Sequence, residues 1–223
     1  MITQSVQDYL KTIYKLQNGR DALETVNTSR LAEKMEVKDS SVTNMIKRLA
    51  DMRLVRHTPH RGAELTEPGK KIALEILRHH RLLELYLKQA LGYSWDEVDT
   101  EADKLEHVIS EDFEDRIDAA LDYPTVGVHG EPIPSKGGHV ETANYQPLSD
   151  LQVGQIAVIR QVSDGSSEML RYIDEMGLTL GTRVEVRERA PFDGPLVLQV
   201  DSDKEQVLGL KVAGQIDVAV MRA

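Results

Sequence analysis

The sequence contains no cysteine. That removes a disulfide framework, a thiolate zinc site and a thiol nucleophile, and it agrees with a reducing compartment. It has no run of about 18 apolar residues, the length a helix needs to cross a bilayer. The opening residues, MITQSVQDYL, carry neither the basic nor the apolar region of a secretory signal. The expected location is therefore cytoplasmic, with no membrane partner. Internal repeats and low-complexity tracts are also missing. Hydrophobic residues make up 40% of the 223, so ordinary globular packing is expected. At about 100–200 residues per domain, this length suits one large domain or two to three small ones.

The net charge of −10 argues at first against a nucleic-acid partner, but the charge is unevenly spread. Residues 1–72 hold 13 Lys and Arg against 9 Asp and Glu, a net of +4. Residues 73–146 carry −10 and residues 147–223 carry −4. A basic head on an acidic body suits a polyanion-binding domain joined to a cation-binding one.

Residues 4–17 place Val6, Leu10, Ile13 and Tyr14 at helical spacing, and Asn18-Gly19 ends that helix. Thr28 or Ser29 is expected to cap a second helix with Leu31, Ala32 and Met35. Asp39 or Ser40 is expected to cap a third, with Val42, Ile46, Leu49 and Met52 on one face. Two short helices around a tight turn form a helix-turn-helix. Leu54-Val55 and Ala63–Leu65, joined by a turn at His60-Arg61-Gly62, predict a small hairpin, or wing. A long helix then runs from Thr66-Glu67-Pro68-Gly69 to Gly92. One or two acidic helices fill 95–121, and the Gly- and Pro-rich stretch from about 122 to 147 predicts a linker. Beyond Leu148, QIAVIRQV, RVEVRER, LVLQV and QIDVAVM have strand texture, interrupted by a short helix around Glu168–Met176. They predict a small β-barrel.

The third helix has short polar residues at its start, which lets a helix sit in a major groove. Lys38, Ser40, Ser41, Thr43 and Asn44 lie there. Lys47 and Arg48, one turn on, suit phosphates. Arg56, His60 and Arg61 in the wing are placed for the backbone or minor groove. The other reading is a packed helical pair with a merely solvated polar side.

A second set of residues suggests a metal. His80 and Glu84 share a helix face, as do Asp103, Glu106 and His107, with Asp99 one turn earlier and Asp8 on the first helix. Clustered carboxylates repel one another without a cation between them. Oxygen and imidazole donors suit Mn²⁺, Fe²⁺, Co²⁺ or Zn²⁺, and without sulfur the harder Mn²⁺ is favoured. An ordinary solvated acidic face has the same residues. His79 is expected at the surface, and His57 and His129 have no assigned role.

In their order along the chain, QDYLKTIYKL, SSVTNMIKRL, HRG followed by LTEPGKKIA, HRLLELYL, EADKLEHVIS and HGEPIPSKGG resemble the diphtheria toxin repressor family of metal-dependent regulators. The tail, from PLSDLQVGQIAVIRQV on, resembles the SH3-like domain that many of these proteins share with a small ferrous-transport protein. The resemblance covers nearly the whole chain. It implies a mainly α protein with a small β domain: a winged helix-turn-helix over 1–72, a helical dimerisation and metal-binding domain over 73–146, and an SH3-like β-barrel over 147–223. One implied metal site uses His80, Glu84 and Asp99; the other uses Asp8, Asp103, Glu106 and His107. Glu168 is the nearest acidic candidate for a ligand from the SH3-like domain. Lys11 departs from the pattern, because manganese-type members can place a glutamate there for a second ion.

The implied function is a Mn²⁺- or Fe²⁺-dependent transcriptional regulator. It would act as a homodimer on a palindromic double-stranded DNA operator and repress metal-uptake genes, with Zn²⁺, Co²⁺ or Cd²⁺ as surrogate ions. Two other readings stay open: a metal-dependent hydrolase built on Asp103, Glu106 and His107, and a winged-helix regulator that ignores metal.

Overall fold

A computed structural model describes residues 2–19, 22–201 and 204–221. The chain divides into two compact units. One holds the chain up to His80 together with Lys104–Glu114 and Pro134–His139; the other holds Arg81–Asp103, Asp115–Ile133 and the chain from Val140.

The first unit opens with α1 (Gln4–Asn18), capped by the Thr3 side chain accepting from the Val6 amide. Helix α2 (Thr28–Met35) is capped by Asn27, not by Thr28 or Ser29, because the Asn27 side chain accepts from the Arg30 amide at 2.8 Å. It ends at Glu36, in the left-handed region with φ 55°. Helix α3 (Asp39–Asp51) begins two residues earlier than a Ser40 cap would place it, and one earlier than an Asp39 cap would. Lys38 holds the cap position without a side-chain bond, while the Asp39 carboxylate accepts from the Ser29 hydroxyl at 3.1 Å.

Strands β1 (Val55–Thr58) and β2 (Gly62–Leu65) form the wing as an antiparallel pair, with Val55 opposite Leu65 and Thr58 opposite Gly62. A single bridge joins Ala63 to Val26. Gly62 is required there: its φ is +122° and a Cβ would lie 2.4 Å from the Val26 carbonyl oxygen. Val6, Leu10, Ile13, Leu31, Val42, Ile46 and Leu49 bury the apolar faces of the three helices into one core. Burying each large side chain contributes roughly 1.5–3 kcal/mol, so the helical periodicity of the sequence becomes the cohesion of the head.

Helix α4 (Glu67–Leu91) starts in the first unit and continues into the second. Gly92, with φ 76°, stops it. Two acidic helices follow, α5 (Val98–Leu105) and α6 (Glu111–Ala120).

The stretch expected as a linker is packed rather than open. Val128, His129 and Ile133 are buried, and Val126 bridges to Pro132. Gly130 sits at φ 90° so close to the next segment that a Cβ would lie 2.0 Å from the Arg160 carbonyl oxygen. The Val162 amide donates to the His129 carbonyl at 2.8 Å. This order comes from close backbone approach, which leaves no periodic signal in the sequence.

The rest of the second unit comprises β3 (Gln146–Pro147), β4 (Ile156–Val162), α7 (Ser167–Glu175), β5 (Arg183–Arg189), β6 (Leu196–Val200), β7 (Lys204–Leu208), the short α8 (Leu210–Ala213) and β8 (Ile216–Val220). The strands make one antiparallel sheet in the order β3-β8-β4-β5-β6-β7. Among the described residues the expected barrel is not closed by pairing. The edge strands are β3, of two residues, and β7, and no pairing among the described residues joins them. Alternating residues Ala157 and Ile159, Val184 and Val186, and Leu196, Leu198 and Val200 fill the buried face.

Candidate metal centre

Helix α1 and the turn after α5 bring distant residues together in the first unit. The His107 Nε2 lies 2.9 Å from an Asp8 carboxylate oxygen and 3.3 Å from Glu106 Oε1. Ligand atoms of the three residues all lie within 4.8 Å of one another. Metal–oxygen bonds of about 2.0–2.2 Å place neighbouring octahedral ligands roughly 3 Å apart, so these separations suit one divalent ion.

The imidazole is also oriented. Its Nδ1 lies 2.9 Å from the Gln7 side-chain oxygen. With the Nδ1 proton donated there, Nε2 faces two carboxylates. A cation among the three groups satisfies the lone pairs that meet there. Glu106 is the deepest member, with a side chain 0% exposed, while the Asp8 side chain is 37% exposed and opens the site to solvent.

Glu106 is held from several sides. Lys11 Nζ donates to both of its oxygens, at 2.7 and 2.9 Å, and His80 Nδ1 lies 2.7 Å from Oε2. Burial alone would raise the Glu106 pKa. The His80 hydrogen bond and the Lys11 charge outweigh burial and hold it below the ordinary glutamate value.

His79, expected at the surface, is 7% exposed. Its Nδ1 lies 3.0 Å from the Glu106 carbonyl oxygen and its Nε2 3.2 Å from Glu114. Arg78 donates to the same Glu114 carboxylate at 2.5 Å and to the Pro134 carbonyl at 3.0 Å. A buried ion pair thus fixes the backbone that carries Glu106. The sequence hid this because α4 is apolar on more than one face and its partner residues lie far along the chain.

Of the other expected ligands, Asp103 is exposed on the last turn of α5, three residues before Glu106. Asp99 is half-buried in the first turn of α5, and Glu84 is buried on α4. Asp99, Asp103 and Glu84 belong to the second unit. Glu168 is exposed in the first turn of α7 and joins no ligand group among the described residues.

The second unit contains a further buried polar cluster that sequence reasoning missed. His129 is 1% exposed and neither ring nitrogen has a hydrogen-bond partner. Its Nε2 is 3.6 Å from Glu84 Oε1, an electrostatic pairing too long for a hydrogen bond. The Glu131 carboxylate lies 3.8 Å from Arg81. Burial pushes the His129 pKa down, but the Glu84 and Glu131 carboxylates pull it up further, for a net rise. The Glu131 pKa is raised by burial and by Glu84. Trp95, the sole tryptophan, packs against the His129 ring at 5.6 Å between centroids. His129 sits in aperiodic sequence, so only its context in three dimensions exposes it.

The residues expected at DNA sit on the outside of the head. Lys38, Ser40, Ser41, Asn44, Lys47 and Arg48 are exposed on or beside α3. Thr43 is half-buried, and its hydroxyl donates back to the Asp39 carbonyl at 2.9 Å. In the wing Arg56, His60 and Arg61 are exposed, and Arg56 pairs with Glu64 at 3.0 Å.

A winged head with an exposed polar recognition helix, coupled within one compact unit to an acid–imidazole group, defines a metal-dependent DNA-binding transcriptional regulator. Comparison with known proteins narrows that class. The model for the iron dependent repressor N-terminal DNA binding domain matches residues 1–63, that for the iron dependent repressor metal binding and dimerisation domain matches 66–135, and the FeoA domain matches 146–220. The chain belongs to the iron-dependent repressor family. It is 32% identical over 212 residues to the iron-dependent repressor IdeR of Mycobacterium tuberculosis, covering 88% of this chain and 89% of that protein. It is 27% identical over 210 residues to the diphtheria toxin repressor of Corynebacterium diphtheriae, at 88% and 89% coverage. Among solved structures, a manganese-dependent transcriptional repressor in complex with manganese has a TM-score of 0.89 and 37% identity, covering 97% of this chain and 100% of that one. ScaR with bound Cd²⁺ has a TM-score of 0.79 and 31% identity, at 96% and 98% coverage. The family consists of regulators, not enzymes, which sets the hydrolase reading aside. No helix among the described residues is long and apolar enough to cross a membrane.

Proposed function

We propose that this chain is a cytoplasmic Mn²⁺-responsive repressor, with Fe²⁺ as a second physiological candidate, that binds a palindromic operator as a homodimer and controls metal-uptake genes. Asp8, Glu106 and His107 hold the ion. The observation that carries this reading is the meeting of Asp8 on α1 with His107, 99 positions later, at 2.9 Å. When bound, the ion supplies positive charge between two carboxylates and joins α1 to the segment after α5. The donor set is oxygen and imidazole with no thiolate, which favours Mn²⁺ over softer ions.

Asn44 reads base edges, Thr43 meets a thymine methyl, and Lys38, Ser40, Ser41, Lys47 and Arg48 position the recognition helix on phosphate. Arg56, His60 and Arg61 place the wing against the backbone. Joining α1 to residues 106–107 fixes the head, and a fixed head sets the spacing of two half-sites in a dimer. His80, Glu84, Asp99, Asp103 and Glu168 remain candidate ligands on the strength of the resemblance, and His129 with Glu84 adds a second acid–imidazole group.

The test is a gel-shift titration on duplexes selected from a random pool by the protein with Mn²⁺, comparing Mn²⁺, Fe²⁺, Zn²⁺ and EDTA. Retention at lower protein concentration with Mn²⁺ or Fe²⁺ than with EDTA is expected. Equal retention in EDTA refutes metal control. Metal-dependent retention that survives both Glu106→Ala and His107→Ala refutes the ligand assignment.

A further inference from the structure

Adjacent histidines of α4 hold Glu106 at both of its ends. His80 Nδ1 lies 2.7 Å from the carboxylate oxygen Oε2, and His79 Nδ1 lies 3.0 Å from the main-chain carbonyl oxygen of the same residue. A carbonyl only accepts, so His79 donates that bond. The other ring nitrogen of His79, Nε2, lies 3.2 Å from Glu114, and Arg78 donates to the same carboxylate at 2.5 Å. The side chains of His79, Arg78 and Glu114 are all buried. Resting on the proposed function, we propose that His79 is a positioning residue of the metal centre. Through the Glu106 carbonyl it fixes the main chain that aims the Glu106 carboxylate toward Asp8 and His107, and it thereby sets the affinity for the ion.

Local structure explains why a side chain is needed there. Helix α5 ends at Leu105, so Glu106 and His107 lie just past its C-terminus. Carbonyls at a helix end leave the helical ladder and need other partners. The segment there is freer than the helix, yet both ligands are carried on it. His79 supplies a partner from the middle of the 25-residue helix α4. The ring is rigid, so holding Nε2 on Glu114 also directs Nδ1 at the Glu106 carbonyl. Both nitrogens are engaged away from the Asp8–His107 pair, so His79 acts through Glu106 and is not itself a ligand. A ligand whose main chain is already fixed loses less freedom when the ion arrives. Removing a group that orients a ligand ordinarily weakens metal binding by about 10–100-fold.

The experiment uses the full chain and two variants that each keep one of the imidazole's two contacts. The asparagine amide nitrogen lies as many bonds from Cα as Nδ1 does, and the glutamine amide nitrogen as many as Nε2. His79→Asn therefore keeps the donor to Glu106 and loses Glu114, whereas His79→Gln keeps the contact with Glu114 and loses the donor. Mn²⁺ dissociation constants are measured by isothermal titration, and urea unfolding in EDTA gives the stability of each metal-free chain. His79→Gln is expected to bind Mn²⁺ about 10–100-fold more weakly than wild type, and His79→Asn within about threefold of it. A purely structural role would weaken both variants together, in step with their stability. Unchanged Mn²⁺ affinity in His79→Gln overturns the inference alone, as does an equal loss in the two variants. Should either variant fail to unfold cooperatively, Glu114→Gln takes its place. It keeps an oxygen for His79 and removes the charge that faces Arg78, so stability should fall while Mn²⁺ affinity stays within about threefold of wild type. A loss of roughly tenfold or more in that variant overturns the inference. A wild-type chain that binds no Mn²⁺ overturns the inference and the proposed function together.

Discussion

Replacing Glu106 by glutamine should destabilise the metal-free protein and abolish its stabilisation by Mn²⁺. The change keeps shape and removes one charge from a side chain that is fully buried against Lys11 and His80. Removing one partner of a buried ion pair costs about 3–5 kcal/mol, because the other charge stays desolvated without its counterion. Lys11 keeps some solvent access, so a loss near the lower end, about 3 kcal/mol, is expected. For a chain of this size each kcal/mol shifts the melting temperature by about 2–4 °C, which gives a fall of about 6–12 °C in EDTA. In wild type, Mn²⁺ at 100 times its dissociation constant adds about 2.7 kcal/mol through binding to the folded state alone. Glu106→Gln should lose that increment. The assay is urea denaturation with and without Mn²⁺, run beside the double variant Lys11→Met/Glu106→Gln. With both charges gone, roughly half of the loss should return, since the orphaned ammonium is what costs energy. A single variant within about 0.5 kcal/mol of wild type, the range of ordinary surface changes, would refute the reasoning.

Three further outcomes follow from the same geometry. Asn44→Ala should weaken binding to the selected duplex by about 1–3 kcal/mol and relax its sequence preference, whereas Lys47→Ala should weaken all sequences alike and reduce the salt slope by about 0.9, measured by anisotropy across salt concentrations. The pH dependence of metal-free stability should be two-sided. The Glu106 pKa is depressed on folding, so its contribution is present above the unfolded glutamate value and is lost as pH falls through the lower folded value; the His129 pKa is raised, so its contribution is full below the unfolded histidine value and is lost as pH rises through the higher folded value. Denaturation midpoints measured across that range would contradict this if stability rose on acidification below the glutamate range. Gly130→Ala should destabilise by more than about 1–3 kcal/mol, because it adds a Cβ to a left-handed residue and drives it into the Arg160 carbonyl, with calorimetry as the check.

The parts of the fold legible in the sequence are those with local causes. The three head helices, α4 and the central strands β4, β5, β6 and β8 each carry a periodic apolar face, and that period survives into the buried core. Capping was less legible, because Asn27 competes with two neighbouring hydroxyl residues and only local geometry decides. Strand β7 was missed: Lys204–Leu208 is mostly polar and exposed, and it exists because β6 offers it a hydrogen-bonding edge. At the site, helical spacing grouped Glu106 with His107, and the pairing with Asp8 came from the resemblance. The Lys11–Glu106 ion pair joins residues 95 positions apart, and nothing local announces it. His79 and His80 are adjacent, and both are buried where one surface residue was expected. Helix α4 covers His79 with Glu106 and Glu114, which approach from other segments. His129 is the clearest loss, because its environment is built from Glu84, Glu131 and Trp95 around an aperiodic turn.

The most direct test of metal control measures the dissociation constant for the selected duplex by anisotropy, with Mn²⁺ and after chelation, for wild type and His107→Ala. Coupling between an ion and a second ligand is typically about 5–150-fold. Wild type should bind more tightly with Mn²⁺ by a factor in that range, and His107→Ala should bind equally weakly in both conditions. Equal affinity of loaded and stripped wild type, or a full Mn²⁺ response in His107→Ala, would contradict the account.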